Sequence, residues 1–209
     1  GGSGKILSML PPRRPRTSPS STRTSGRVRI VAGRLRGSRL DVPDAPGLRP
    51  TPDRVRETVF NWLAPWIEGA RVLDLFAGTG ALGIEALSRG AAEVVFVERD
   101  AALVAALRAN LERLKQPQGR VVRGDGLAEI AALDGSFDIV FLDPPFDAEL
   151  WSSAATALEA RGRLRPGAFV YVEAPAGAAP VLPPDWRLHR ESRAGAVYFA
   201  LYRRGVGIR

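Results

Sequence analysis

Apolar and polar positions alternate along this chain with two different periods, and the switches between them mark its elements. Arg71 to Phe76 is a short apolar run broken by one acid, Asp74, and predicts a buried parallel strand. A glycine turn, Ala77-Gly78-Thr79-Gly80, follows. Ala81 to Arg89 then sets Leu82, Ile84, Ala86 and Leu87 among Glu85 and Arg89, the pattern of a helix stopped by Gly90. The same alternation continues downstream. Strands are expected at Glu93 to Val97, Arg120 to Arg123, Phe137 to Leu142 and Ala168 to Glu173. Helices are expected at Ala101 to Leu114, Leu127 to Leu133 and Glu149 to Arg161. Trp186 to Arg190 and Val197 to Arg203 read as an antiparallel pair closing the sheet edge. No internal repeat is visible. Such alternation predicts an α/β fold, a largely parallel sheet with helices on both faces.

The first quarter of the chain follows a different pattern. Gly1-Gly2-Ser3-Gly4 reads as an appended scar, and residues 5–26 are rich in Ser, Thr, Pro and Arg with no acid. They are expected to form a disordered basic arm. An organellar transit peptide has a similar composition. In residues 27–42, Val28, Ile30, Leu35 and Leu40 alternate with Arg27, Arg29, Arg34, Arg36 and Arg39. This predicts a hairpin turning near Gly33 or Gly37, with one apolar face and one guanidinium face. A proline-rich connection, Pro43 to Pro50, completes a unit spanning 27–50. Thr51-Pro52-Asp53 then opens a helix, with Thr51 able to cap and Asp53 complementing the dipole, and residues 51–209 form the main domain.

Composition narrows the chemistry. The chain has 209 residues, no cysteine and one histidine, His189, which excludes disulfide frameworks, thiolate sites and His-rich metal sites. No metal is expected. No apolar stretch reaches the ~18 residues of a membrane span, and a cytoplasmic location is expected. Residues 1–56 hold 13 basic and 3 acidic side chains, a net of +10, whereas residues 57–209 carry a net of −2. A basic extension on a nearly neutral body points to a polyanionic partner, most simply nucleic acid. A solubilising tail is the plain alternative.

The glycine turn is ambiguous by itself. Gly78, Gly80 and Gly83 satisfy the dinucleotide fingerprint G-x-G-x-x-G. Asp74, inside the strand, is costly unless a ligand or backbone donors meet it. A pyrophosphate gains nothing from that acid, whereas an ammonium group does, so the turn fits S-adenosylmethionine better than a nicotinamide dinucleotide. Three further acids fall near strand ends, where open α/β sheets bind ligands: Glu98, Asp125 and Asp143. Glu98 is placed to accept ribose hydroxyls and Asp125 an adenine amine. The most specific motif is Asp143-Pro144-Pro145-Phe146. Two prolines stiffen the turn and remove two donors while keeping their carbonyls. A carboxylate and a carbonyl can then face one planar amine, with Phe146 stacked on its ring, which suits the exocyclic amine of a nucleobase.

With these residues the chain resembles a class I, Rossmann-like S-adenosylmethionine-dependent methyltransferase of the D-P-P-F kind. More narrowly, it resembles the bacterial family that methylates the exocyclic N2 amine of a guanine in 16S ribosomal RNA. The resemblance is carried by Arg29 to Gly37 (RIVAGRLRG), Pro46 to Leu63 (PGLRPTPDRVRETVFNWL), Asp74 to Arg89 (DLFAGTGALGIEALSR) and Leu142 to Phe146 (LDPPF). It implies a seven-stranded, mostly parallel sheet with a small N-terminal hairpin. It implies that Asp74, Phe76, Gly78 and Gly80 hold the methionine part of the cofactor, Glu98 the ribose, Asp125 with Gly126 the adenine, and that Thr51 closes over it. It implies that Asp143, Pro144, Pro145 and Phe146 orient the target base, and that Arg34, Arg36, Arg39, Arg49, Arg54 and Arg56 meet RNA phosphate. The implied substrate is 16S rRNA in an assembling or assembled 30S particle, and the implied protein a monomer. An adenine-N6 methyltransferase acting on RNA or DNA shares the D-P-P motif and is set apart only by the Arg49 to Leu63 block.

Overall fold

A computed structural model describes residues 24–206, except 46, 47, 49, 145–147 and 179. The expectations for the arm through residue 23, and for Arg49, Pro145 and Phe146, therefore lie outside the described residues.

Two antiparallel strands come first, β1 (Thr24–Arg29) and β2 (Arg39–Pro43), in register from Arg29 opposite Arg39. The hairpin thus begins at Thr24, before the expected boundary at 27. The chain between the strands is a loop in which both Gly33 and Gly37 take positive φ, +85° and +82°. Helix α1 (Asp53–Leu63) follows. Pro52, not Thr51, occupies its N-cap, and no side chain caps it.

The main sheet then forms from β3 (Arg71–Asp74), β4 (Glu93–Glu98), β5 (Gly119–Arg123), β6 (Phe137–Leu142), β7 (Leu164–Pro175), β8 (Trp186–Ala194) and β9 (Val197–Arg204). Their order is β5-β4-β3-β6-β7-β9-β8. The first five are parallel, and β9 and β8 run antiparallel at the edge. Helices α2 (Ala81–Ser88), α3 (Ala101–Arg113), α4 (Gly126–Glu129) and α5 (Ala148–Ala160) lie in the crossovers. The expected helix 127–133 is split into α4 and a 3-10 turn at Ile130–Ala132. Strands β7 and β8 extend beyond the expected ranges, the one at both ends and the other at its end.

Side-chain alternation divides the core in two. Val72, Phe96, Phe141 and Tyr171 point to one face, under the hairpin, α1, α2 and α3. Leu73, Val95, Val140 and Val172 point to the other, under the 3-10 turn and α5. Such runs, apolar on both faces, are what a covered parallel sheet requires. The strand order reverses at β3, so the crevice at the carboxyl ends of β3 and β6 is the expected ligand position of a doubly wound sheet. Among the described residues no helix is long and apolar enough to cross a membrane.

The hairpin is pinned to the main domain rather than appended to it. Backbone N–H groups of Val31 and Ala32 donate to the Glu85 carboxylate of α2 at 3.0 and 3.1 Å. The Ser88 hydroxyl donates to the Ala32 carbonyl at 2.6 Å and accepts from Leu35 N at 2.9 Å. A Cβ at Gly33 would lie 2.1 Å from the Ser88 carbonyl oxygen, so this approach demands glycine. On α3, Asn110 exchanges two hydrogen bonds with the backbone of Asp41.

Candidate active site

The acids near the strand ends share one face of the sheet. Asp74 lies two residues beyond Val72, Glu98 two beyond Phe96, Asp143 two beyond Phe141 and Glu173 two beyond Tyr171. Period-two alternation therefore turns all four carboxyls toward the same side. They stand on four adjacent strands, β4, β3, β6 and β7. Register makes the row uneven. Asp74 pairs with Phe96 and with Phe141, so Glu98 and Asp143 each reach two residues further. Leu142 pairs with Val172, which sets Asp143 beside Glu173.

Asp74 is buried, 2% exposed, and one oxygen accepts from the Gly83 N–H at 3.1 Å. Burial pushes its carboxyl up to about 8; the Gly83 hydrogen bond opposes this and the Glu98 charge adds to it. Gly78 and Gly80 both take positive φ, +56° and +79°, as the turn into α2 requires. A Cβ on Gly78 would meet Leu48 of the linker at 3.4 Å, so the linker passes over the turn. Glu98 is half-buried and accepts from Arg99 N at 3.2 Å, and burial raises its carboxyl too. Asp125 is exposed and caps α4, accepting from Ala128 N at 3.0 Å. Next to it, Gly126 lies so close to Phe76 and Leu75 that a Cβ would approach the Phe76 ring to 2.6 Å. The ends of the neighbouring strands β3, β4 and β5 thus lie together.

Asp143 is half-buried and Pro144 is buried. Burial, then the charges of Glu173 and Asp74, push the Asp143 carboxyl well above the usual carboxylate range. Burial raises Glu173 as well, against hydrogen bonds from Tyr171, Thr51 and Asp143. The Tyr171 hydroxyl donates to Oε2 of Glu173 at 2.9 Å and the Thr51 hydroxyl to the same oxygen at 3.4 Å. Thr51 therefore meets a carboxyl at the end of β7 rather than capping α1.

Glu173 and Tyr171 were not singled out in the sequence. The signal was available: Glu173 ends an expected strand, as Glu98 follows another. One arginine is corrected. Arg56 is fully buried on the inner side of α1, against Asp53, the Thr51 carbonyl at 3.2 Å and Glu85 at 3.7 Å. It is out of reach of RNA phosphate and serves instead to neutralise Glu85. Arg34, Arg36, Arg39 and Arg54 are exposed. A cavity of about 390 Å³ at the opposite ends of the strands, lined by Trp66, Asp138, Arg165, Phe169 and Arg203, contains none of the strand-end acids.

This geometry meets clear relatives. The family model described as Conserved hypothetical protein 95 matches residues 28–203. Ribosomal RNA small subunit methyltransferase D of Escherichia coli strain K12 is 49% identical over 181 residues, covering 86% of this chain and 91% of that protein. Its namesake from Haemophilus influenzae is 43% identical, covering 85% and 94%. The solved structure of Escherichia coli yhhF superposes with a TM-score of 0.81 at 47% identity, covering 87% of this chain and all of that one. A solved Haemophilus influenzae structure gives 0.74 at 40% identity, covering 86% and 99%. The chain is thus a methyltransferase, and it belongs to the Conserved hypothetical protein 95 family together with the small-subunit ribosomal RNA methyltransferases D.

Proposed function

We propose that this protein transfers a methyl group from S-adenosylmethionine to the exocyclic N2 amine of a guanine in 16S ribosomal RNA. The observation that carries the reading is the pairing of two environments on one sheet edge. Glu98, Asp74 and the Gly78–Gly80 turn line one side of the crevice, and Asp143-Pro144 ends the neighbouring strand β6. The relatives' names support a small-subunit rRNA substrate, and the guanine amine comes from the resemblance of the Pro46 to Leu63 block.

The residues fit the cofactor. Asp74 is a buried carboxyl with no basic partner among the described residues, and a cation beside it would restore its ionised form. Glycine backbone in the turn leaves N–H groups approachable. Phe76, Gly126 and Asp125 would hold the adenine side, Glu98 the ribose, and Thr51 with the linker would cover the site. When bound, S-adenosylmethionine supplies an electrophilic methyl group at the crevice. The guanine amine is a poor nucleophile because its lone pair is delocalised into the ring. Asp143 and the Pro144 carbonyl accept its N–H groups and localise that pair, and the resemblance assigns the orienting of the base to Pro145 and Phe146, outside the described residues. The remaining acceleration comes from positioning. Arg34, Arg36, Arg39, Arg54 and, outside the described residues, Arg49 contact phosphate. The enzyme works as a cytoplasmic monomer on an assembling or assembled 30S particle, without a metal.

The test is methyl transfer to 30S particles and to naked 16S RNA, with the product nucleoside identified by mass spectrometry. N2-methylguanosine is expected; N6-methyladenosine would replace this reading with the adenine one. Asp143→Ala is expected to lose most turnover, on the order of 100-fold, and to keep its cofactor affinity by calorimetry.

A further inference from the structure

We propose that Glu173 is a positioning residue for Asp143: the two carboxyls at the ends of β6 and β7 hold one proton between them, and that proton turns the remaining Asp143 oxygen toward the target amine. The inference rests on the functional reading above and deepens it.

Three observations point to this pair. Register places Asp143 and Glu173 side by side at the ends of adjacent parallel strands and on the same face. Glu173 is 7% exposed, and its Oε2 already accepts from both the Tyr171 and Thr51 hydroxyls. A carboxylate served by two fixed donors is the acceptor end of a pair, so the shared proton sits on Asp143 and is donated to Glu173. Among the described residues, no arginine or lysine is ion-paired with either acid. The charged and titratable groups that face the pair are Asp74 from β3 and Tyr171 from β7, with Glu98 acting on Asp74. Two carboxylates set side by side, with a third nearby and no counter-ion among the described residues, keep a proton between them. Burial and the Glu173 charge hold Tyr171 in its protonated, donating form.

Charge balance assigns the pair a second task. Before transfer it carries one proton and one negative charge. The amine lone pair forms the new N–C bond, and the electrons of the broken C–S bond remain on sulfur. The nitrogen, now cationic, passes a proton to the outward Asp143 oxygen as the shared proton moves across to Glu173, so that each carboxyl ends with one. The pair is then neutral with two protons, and one returns to water.

The variants are Glu173→Gln, Glu173→Ala and Tyr171→Phe, with thermal melts to verify folding. Titration of the side-chain carboxyl carbons by NMR in the cofactor-free protein is the first readout. Glu173 raises Asp143 both by its charge and by their hydrogen bond. In Glu173→Gln the Asp143 step should therefore move to lower pH. Turnover is the second. The glutamine amide can donate to Asp143 in place of the shared proton, so Glu173→Gln should stay within about 10-fold of wild type. Glu173→Ala should lose roughly 100-fold in kcat with unchanged cofactor affinity. Tyr171→Phe, which leaves the packing in place, should lie between them and stands in if the alanine variant does not fold. An unmoved Asp143 titration, or equal loss in the glutamine and alanine variants, would overturn the proposal. If the Asp143 step moves but wild type makes no methylguanosine, the functional reading fails and the carboxyl pair remains.

Discussion

An added methyl at Gly83 would lie 2.2 Å from Cε1 of Phe96, a ring fixed in the centre of the sheet. Gly83 is thus needed for close packing of α2 on β4, and its N–H is the one backbone donor to Asp74 among the described residues. Gly83→Ala should destabilise the fold by ~1–3 kcal/mol through overpacking, read as a lower denaturant midpoint. Asp74 itself makes stability depend on pH. Its folded pKa, raised to about 8, lies above its ordinary value, so the folded protein holds this proton more tightly than the unfolded chain. That contribution is complete below the ordinary carboxylate range and is lost as pH rises through about 8. The cofactor-free protein should melt lower at pH 8.5 than at pH 5, and Asp74→Asn should flatten the slope. Glu98, Asp143 and Glu173 shift the same way, so part of the slope should survive. A slope that Asp74→Asn leaves unchanged would place the proton elsewhere. At this scale the chain was legible where chemistry leaves a local mark. Asp74 interrupts an apolar run and Asp143 precedes two prolines. Arg56 was misread because a guanidinium at a helix start looks the same whether it faces solvent or a carboxylate 29 residues away.

Helix α2 shows what is legible only once elements meet. Its apolar pattern and its stop at Gly90 could be read directly, and the helix ends at Ser88 with Gly90 at φ +104°. Glu85, however, reads as an exposed helix acid and is fully buried. It receives Val31 N, Ala32 N and the Arg89 guanidinium, and faces Arg56. No local period announces a partner that lies 53 residues away. Glu85→Ala would leave buried Arg56 with Asp53 as its remaining countercharge and two loop N–H groups without an acceptor. A cost of ~3–5 kcal/mol is expected, with the loop carrying Arg34 and Arg36 released. Hydrogen exchange at Val31, Ala32 and Leu35 should rise above that of β6 in the variant. Protection equal to wild type would mean that Ser88 alone holds the loop.

For the molecule as a whole, charge and topology were both open to reading. The alternation of elements was sufficient to expect a doubly wound sheet, because each buried strand needs a covered face and short crossovers leave few topologies. Less legible was the mounting of the hairpin, which depends on a backbone approach at Gly33. The exposed arginines of that loop are held at fixed places at the far end of α2 from the glycine turn, whereas long-range attraction by other basic groups is screened over ~8 Å at physiological salt. Replacing Arg34, Arg36 and Arg39 together by Ala should weaken RNA binding at low and physiological salt. It should also reduce the salt slope by roughly one unit for each phosphate no longer neutralised. Deleting residues 1–23 should alter association mainly at low salt. An unchanged salt slope in the triple variant, with turnover abolished by the deletion, would assign RNA recognition to the other segment.

Helix α2 begins at the glycine turn and ends at the serine that grips the basic loop, so it works as a ruler. Its 8 residues span about 12 Å. The distance from glycine turn to basic loop is therefore set by a count of residues, not by a joint that adjusts. Lengthening α2 by one residue would advance the loop by about 1.5 Å and swing its grip by about 100° around the helix axis. Such a protein could keep its cofactor and its charge, and still measure the wrong span of RNA.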